Sequence, residues 1–251
     1  MSRFKAASIH LCISALLVGS VFGIVFWSWY PGPSFEVVGA SSIIKLLVGV
    51  DLVLGPLLTL IVYRHGKPGL KFDLSVIAAI QLAALIFGAH RLYAEKPDYL
   101  VFAIDRLEFV SGRHVDASQI RFDELRNREA GKLTMAVAEP PGDPDEYQAY
   151  LDSVIMGGMP DLESRPEFWR PWAQAGEQIR EAIKSLDQLQ PDSADEERRL
   201  QEAIERHGDA HPNLGILPIG GIQGDIGMLV DRDTLELLGT LRINPWVASE
   251  S

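Results

Sequence analysis

The thirty residues from Ala6 to Phe35 contain no Asp, Glu, Lys or Arg. An uncharged apolar stretch longer than about 18 residues does not fit the core of a small soluble domain and is typical of a membrane span. This lack of charge excludes a wholly soluble protein. The rest of the chain must therefore be interpreted as part of a membrane protein.

Cysteine is almost absent as well, since Cys12 is the single one in 251 residues. Because there is no second cysteine, the protein cannot contain an internal disulfide, a CxxC redox pair or a zinc site built from several thiolates. An oxidising compartment is permitted for the remainder of the chain, although one cysteine does not establish it.

Positive charge is scarce in the second part of the chain. Residues 1–96 contain eight Lys or Arg against four Asp or Glu, and residues 97–251 contain fifteen against thirty. Binding to nucleic acid requires clustered Lys and Arg, so the acidic second part argues against a nucleic-acid partner. The contrast predicts a membrane domain over residues 1–96 and a soluble domain over residues 97–251.

The membrane domain is predicted to contain three transmembrane helices, at about residues 9–30, 42–63 and 74–93. A helix of 22 residues, such as the first, is about 33 Å long and crosses the hydrocarbon core. Trp27, Trp29 and Tyr30 lie at its end, where aromatic rings favour the membrane interface. Pro31-Gly32-Pro33 then predicts the end of the helix.

A cleaved signal peptide is the alternative explanation of the first stretch, because Val38-Gly39-Ala40 resembles a small-residue cleavage site. The apolar region of a signal peptide is only about 7 to 15 residues long. The length of the stretch therefore favours a retained span.

Topology follows from the distribution of Lys and Arg. Arg3 and Lys5 precede the first span, residues 64–71 carry further positive charge, and the loop over residues 30–41 carries none. The positive-inside rule places the N-terminus and the loop over residues 64–73 in the cytoplasm. Three spans then place the soluble domain on the opposite face, which in a bacterium is the periplasm.

The soluble domain is predicted to be α+β, with terminal strands and a central helical hairpin. Ser164 with Glu167 and Ser193 with Glu196 match the capping box, so each pair predicts a helix start. Apolar periodicity supports both helices. The β-branched and alternating segments predict strands over residues 99–110, 132–137, 214–217, 226–230 and 236–243.

Asp51 is the strongest functional signal, because it lies about nine residues into the second span, where a carboxylate costs about 2.5 to 3.5 kcal/mol. A structural hydrogen bond, for example to the helix that carries Gln81, and contact with a partner both remain open. Pro56, which follows Gly55, has no backbone N–H to donate, so Gly55-Pro56 predicts a kink in the helix close to Asp51. Gly19-x-x-x-Gly23 has the spacing that brings two helices close, either within the chain or with a partner.

The soluble domain offers no comparable signal. His207 and His211 could form a metal pair, but Gly208 and Pro212 indicate that the helix has ended, which favours a solvated cap. The sequence contains no HExxH, GxSxG or P-loop motif. We therefore predict no catalytic residue, no metal site and no cofactor.

Several short strings carry a family resemblance: SRFKAA at 2–7 with His10, WYPGP at 29–33, GVD at 49–51, LGPLLTL at 54–60, KPGLKFDL at 67–74, YLVFAIDR at 99–106 and the closing NPW at 244–246. Together they resemble the TfpX/TfpZ family of type IV pilin accessory proteins. The resemblance is specific over about residues 1–106 and weaker afterwards.

This resemblance implies a multi-pass protein of the bacterial inner membrane that binds a cognate major pilin and influences how much pilus reaches the surface. Its partners would be the major pilin, the lipid bilayer and the pilus assembly machinery. The resemblance supplies no catalytic residues. The membrane chemistry alone supplies the candidate partner-binding residues, which are Asp51, Gly19, Gly23, Gly55 and Pro56.

Two other classes of protein remain as alternatives. A membrane sensor would bind a small ligand with its periplasmic domain, but it would need an output, and the cytoplasmic segments are too short to provide one. An enzyme that modifies pilin would be marked by a cleft with perturbed titratable groups.

Overall fold

A computed structural model describes residues 2–30, 32–129, 131–222 and 224–246. The chain divides into two compact units. The first comprises Met1–Phe35 and Gly39–Lys96, and the second comprises Glu36–Val38 and Pro97–Ser251. Three residues that precede the second span thus belong to the same compact unit as the C-terminal part of the chain.

The first unit contains three helices that are long and apolar enough to cross a membrane, Arg3–Trp29, Ala40–Val62 and Leu70–Ala94. They confirm the predicted transmembrane part of the fold, and we call them spans 1, 2 and 3. Span 1 starts at a cap, because the Ser2 side chain accepts a hydrogen bond from the backbone N–H of Lys5. Pro31, to which the sequence assigned the helix stop, lies outside the described residues.

Spans 1 and 2 are not uniform α-helices, since each contains a π-helical turn. Span 3 is one uninterrupted α-helix. The elements of this unit are α1 Arg3–Ile24, a π-turn Val25–Trp29, the short α2 Ser34–Val37, α3 Ala40–Val48, a π-turn Gly49–Leu54, α4 Gly55–Val62 and α5 Leu70–Ala94.

Spans 1 and 3 both pack mainly against span 2. A close approach holds spans 2 and 3 together where Gly88 faces Leu47, since a Cβ at Gly88 would lie 2.7 Å from a Leu47 methyl group. Spans 1 and 3 also meet near one end, where the Tyr30 hydroxyl donates to the carbonyl of Leu92 at 2.8 Å. Span 2 is therefore the central element of the membrane unit.

The second unit is a mixed sheet in the strand order β4-β3-β1-β2-β6-β7-β8, with β5 paired to β6. β1 is parallel to β3 and β2 to β6, and the other pairs are antiparallel. The strands are β1 Pro97–Ala103, β2 Arg106–Ser111, β3 Thr134–Ala138, β4 Trp169–Pro171, β5 Lys184–Ser185, β6 Leu214–Ile219, β7 Ile226–Asp231 and β8 Leu237–Leu241.

Helices cover both faces of this sheet, and alternation along β1 assigns its side chains to two cores. Leu100 and Phe102 enter one core with Ile179, whereas Tyr99 and Val101 enter the other. This arrangement confirms a sheet domain of mixed α and β structure. The helices are α6 Asp123–Arg126, α7 Pro144–Ile155, α8 Gly176–Ala182 and α9 Ala194–His207.

The first core also contains a residue from the loop between spans 1 and 2. Val37 is 5% exposed and belongs to the cluster that includes Phe102 and Ile219. Its carbonyl accepts a hydrogen bond from the backbone N–H of Ile222 at 3.0 Å, and Glu36 forms an ion pair with Arg242. Residues 36–38 are thus an integral part of the second unit.

Two elements differ from the sequence prediction. The strand predicted over residues 99–110 is a hairpin of two strands, because Ile104 adopts a φ of 60° and reverses the chain. The helix predicted to begin after Ser164 is replaced by 3₁₀ turns and β4, and α8 begins only at Gly176. Pro171 lacks the N–H group that a helix continuing from Ser164 would need there.

The other predicted elements of the sheet domain are confirmed. Ser193 caps α9, since its hydroxyl accepts from the backbone N–H of Glu196 at 3.2 Å. The second predicted strand corresponds to β3, and the last three correspond to β6, β7 and β8. Helix α7 was not predicted, although Asp143 caps it and Pro144 occupies its first turn, two recognised start signals.

Candidate functional site in the membrane unit

Asp51 lies in the π-helical turn of span 2 and is only 4% exposed. Its Oδ1 accepts a hydrogen bond from Gln81 Nε2 of span 3 at 3.0 Å. The same Nε2 lies 3.3 Å from the carbonyl oxygen of Asp51 and 3.4 Å from that of Val50. Three oxygens around this nitrogen fix the orientation of the Gln81 amide. The hydrogen bond that the sequence suggested between Asp51 and the helix that carries Gln81 is therefore present.

The sequence around Gly55-Pro56 explains how this contact forms. Pro56 has no N–H to continue the α-helical ladder, and the turn before it is wound as a π-helix in which the Gly55 N–H donates to the Val50 carbonyl. Gly55 leaves room for the Gln81 side chain, because a Cβ there would overlap the amide. Gly55, Pro56 and Asp51 are thus parts of one structural feature.

Two acceptor atoms of this pair remain without a partner. Asp51 Oδ2 and Gln81 Oε1 are buried and form no hydrogen bond within the described parts of the chain. Both atoms are oxygens, so the site has unused acceptors. In an apolar environment an unpaired polar group costs free energy, so the pair is a costly feature of the membrane unit.

Asp51 and Gln81 both line a cavity of about 330 Å³ on the membrane unit, which we call the groove. Span 2 forms its floor, and spans 1 and 3 form its two walls. Several wall residues are also exposed on the outside of the unit, among them Ile13 and Leu82, so the groove opens to the surface. It is lined by Ala6, Ile9, His10, Ile13, Ser14, Leu17, Asp51, Thr59, Tyr63, Leu74, Ala78, Gln81, Leu82 and Leu85.

A second polar pair lines the same groove. His10 Nδ1 of span 1 lies 2.6 Å from Thr59 Oγ1 of span 2. Sequence reasoning did not single out this pair as a site. The available signal was a histidine and a threonine within otherwise apolar spans, each of which needs a hydrogen-bond partner in lipid.

Gly19 and Gly23 do not belong to this site. A Cβ at Gly19 would meet nothing within 4 Å, and a Cβ at Gly23 would meet only Trp27 of the same helix, at 3.4 Å. At about 100° per residue, the two glycines lie roughly 180° and 220° around span 1 from His10, which faces the groove. Among the described residues no other span packs on them, so intrachain packing does not explain the pair.

In the second unit, His211 of the histidine pair has a structural role. His211 Nδ1 lies 2.7 Å from Asp231 Oδ2, and Asp231 Oδ1 accepts from the backbone N–H groups of Asp233 and Thr234. These contacts define the turn between β7 and β8. Within the described ranges no group of three or more His, Cys, Asp or Glu side chains could hold a metal ion.

The most perturbed carboxyl group outside the spans is Glu108 on β2. Burial raises the pKa of Glu108 to about 7, and the nearby negative charge of Glu163 adds to the effect. The neighbouring Arg106 opposes it. Glu108 lines a cavity of about 420 Å³ in the second unit with Asp225 and Phe109, and the residues that line it include no Ser, Thr, Cys, His or Lys.

Comparison with known proteins identifies relatives along most of the chain. The family profile "Fimbrial assembly protein FimB" matches residues 1–39. The "Fimbrial assembly protein, serogroup I" of Dichelobacter nodosus is 27% identical over 216 residues, 84% of this chain and 82% of the relative. The serogroup E1 protein of the same organism is 28% identical over 189 residues, 73% of this chain and 72% of the relative.

A third relative, the "Fimbrial assembly protein, serogroups C1 and C2" of Dichelobacter nodosus, is 34% identical over 124 residues. The alignment covers 48% of this chain and 90% of that protein. No solved structure matches the chain. The extent and identity of the third match show that this chain belongs to the fimbrial assembly protein family.

Proposed function

We propose that this protein is a non-enzymatic accessory protein of type IV pilus biogenesis that binds the cognate major pilin in the inner membrane and modulates how many pili are assembled. Membership of the fimbrial assembly protein family supports a role in pilus biogenesis. The narrower resemblance to the TfpX/TfpZ accessory proteins supplies the pilin as the partner.

One observation carries the proposal: the membrane unit has a groove lined by Asp51 and Gln81, each with a buried oxygen that none of the described residues satisfies. Within lipid, helices associate through packing and polar contacts, so a groove of this kind is suited to a helical partner. A pilin that waits in the inner membrane presents an apolar helix within the bilayer and a head outside it.

The membrane orientation is part of the same proposal. The N-terminus and the loop over residues 64–73 lie in the cytoplasm, and residues 97–251 lie in the periplasm. Residues 36–38 and the residues from 97 onward form one compact unit, which supports this arrangement. Two spans separate these segments along the chain, so both must lie on the same side of the membrane. We retain residues 1–96 as the membrane domain and 97–251 as the periplasmic domain.

Gly19 and Gly23 provide a second contact surface within this proposal. Their face of span 1 is not used in packing against spans 2 and 3. Small residues let a partner helix approach closely. The acidic domain, with thirty Asp or Glu against fifteen Lys or Arg, can contact the pilin head.

Gene deletion combined with in vivo crosslinking tests the proposal. Deletion should change the number of surface pili while pilin synthesis continues, and photocrosslinkers in the spans and in the soluble domain should each capture the major pilin. Gly19→Leu with Gly23→Leu should weaken crosslinking from span 1 only, because large side chains block close approach there.

A control is Leu11→Phe, which adds bulk at an exposed residue of the same helix, roughly 80° and 120° around it from Gly19 and Gly23. Unchanged pilus number, pilin level and retraction after deletion, together with no pilin crosslink in either compartment, would refute the accessory role. A ligand-binding sensor would then be the better hypothesis.

A further inference from the structure

We propose that the loop between β6 and β7 rests on the lipid bilayer and inserts the side chain of Ile222 into the membrane interface. Ile222 is the apolar tip of this loop and is 79% exposed in the protein chain alone. The inference goes beyond the proposed function, because it concerns a lipid contact of the second unit and does not involve pilin. It also holds for either orientation of the protein in the membrane.

Chain connectivity brings one end of the sheet close to the membrane. Span 3 ends at Ala94, and β1 begins only three residues later, at Pro97. Span 2 begins at Ala40, three residues after Val37, which is buried in the first core of the second unit. Three residues extend over at most about 11 Å. Both Pro97 and Val37 therefore lie within or next to the headgroup layer of the bilayer.

The strand register assigns the loop between β6 and β7 to this same end of the sheet. Pro97, the first residue of β1, pairs with Ser111 at the end of β2. β2 runs antiparallel to β1 and parallel to β6, so β6 also ends, at Ile219, towards this end of the sheet. The loop that follows β6 contacts the segment that leads into span 2, since the Ile222 N–H donates to the carbonyl of Val37 at 3.0 Å.

Hydrogen bonds hold this loop in a turn that leaves Ile222 exposed. The Gly224 N–H donates to the carbonyl of Gly221 at 3.1 Å, and the Gly221 N–H donates to Asp225 Oδ1 at 3.1 Å. Asp225 Oδ2 accepts from Trp246 Nε1 at 2.7 Å, so both oxygens of this carboxylate are occupied. Between β6 and Asp225 the loop carries no charge. An aliphatic side chain on an uncharged turn beside the bilayer gains free energy by leaving water for the interface.

A second isoleucine shows what is particular about this position. Ile104 lies in the turn between β1 and β2 and is 68% exposed, and a single exposed apolar residue of this kind needs no explanation. Ile104 is seven residues beyond Pro97 along the extended chain, about 23 Å towards the opposite end of the sheet. The two isoleucines are therefore a matched pair, of which only Ile222 is held beside the bilayer.

A fluorescent probe tests the contact in the full chain. In the Cys12→Ser background, Ile222→Cys and Ile104→Cys are each labelled with the environment-sensitive fluorophore NBD and reconstituted into vesicles of phosphatidylethanolamine and phosphatidylglycerol. Emission from position 222 should lie at shorter wavelengths. A lipid that carries a nitroxide near its headgroup should quench it several times more strongly than emission from position 104. Equal emission and equal quenching at the two positions would overturn the inference.

Photocrosslinking in intact membranes tests the same contact without a fluorophore and identifies what lies against the loop. A photoreactive residue at position 222 should form a phospholipid adduct, and one at position 104 should form markedly less. The adduct should persist in a strain that lacks the major pilin gene. Equal lipid capture at the two positions, or capture of a protein in place of lipid at position 222, would overturn the lipid contact and leave the proposed function standing.

Discussion

Glu108 shows how one half-buried carboxyl group makes the stability of the soluble unit depend on pH. In the unfolded chain it titrates near its ordinary value of 4.5, and in the folded protein burial raises the pKa to about 7. Between these values the folded state retains a proton that the unfolded state has released. Raising the pH through this window therefore lowers the free energy of unfolding.

Glu108→Gln should remove this loss, because glutamine resembles the protonated acid. Between pH 5 and pH 8 the variant should lose less stability than the natural protein, by about 1 kcal/mol after allowance for partial solvent exposure. Chemical unfolding of the purified protein in detergent, followed by tryptophan fluorescence, measures the difference. Identical pH dependence in both proteins would show that another group controls the transition.

Single residues differ in how much of their role the sequence reveals. Asp51 is recognisable because a carboxylate within a span is costly, and Gln81 is a natural partner because it is polar and lies on a neighbouring span. The pairing of His10 with Thr59 was not predicted, since it depends on how spans 1 and 2 are rotated about their axes. The unused acceptors are likewise visible only once the geometry of Gln81 is known.

At the scale of the element, two glycines at the ends of the π-helical turn of span 2 form a useful matched pair, since Gly49 begins the turn and Gly55 follows it directly. A Cβ at Gly55 would overlap the Gln81 amide, which three oxygens hold in place, whereas a Cβ at Gly49 would meet nothing within 4 Å. Gly55→Ala should therefore break the bond between Asp51 and Gln81. Gly49→Ala should be neutral or slightly stabilising, because alanine favours a helix.

The expected destabilisation by Gly55→Ala is about 1 to 3 kcal/mol, typical of overpacking in a closely packed interior. Thermal unfolding in detergent and the amount of protein in the membrane both measure it. Equal stability of the two variants would mean that Gln81 moves aside freely, and the pair with Asp51 would then be a weak contact.

Among the elements, those with complete local signals were predicted correctly. Helix α9 has both residues of its capping box and an uninterrupted amphipathic pattern. The Ser164 box was misleading, because Pro171 interrupts the segment that follows. The hairpin of β1 and β2 was missed, since a β-branched residue such as Ile104 rarely adopts a positive φ.

At the scale of the whole molecule, cysteine labelling tests the orientation in the membrane. Cys12→Ser gives a chain without cysteine, into which Lys67→Cys or Asp209→Cys can be introduced. A membrane-impermeant thiol reagent should label Asp209→Cys in intact spheroplasts and Lys67→Cys only after lysis, as the positive-inside rule requires. Labelling of Lys67→Cys in intact spheroplasts and of Asp209→Cys only after lysis would show the opposite topology and exclude a periplasmic contact with pilin.

The overall plan of the molecule could be predicted from the sequence, because long uncharged runs and a change in charge mark where the chain enters and leaves the membrane. The strand order of the sheet could not be predicted. It depends on pairings between distant segments, such as β2 with β6, for which local patterns carry no information. The contribution of residues 36–38 to the second unit escaped notice for the same reason.

That contribution makes the folding of the second unit a checkpoint for membrane insertion. Val37 is synthesised before spans 2 and 3, yet it fills a position in a core made by β1, β2, β6 and β7. If either later span fails to insert, Val37 and that core are left on opposite sides of the bilayer. The unfinished core would lack a buried valine worth about 1.5 to 3 kcal/mol, so we expect misinserted copies to be degraded and correctly inserted copies to persist.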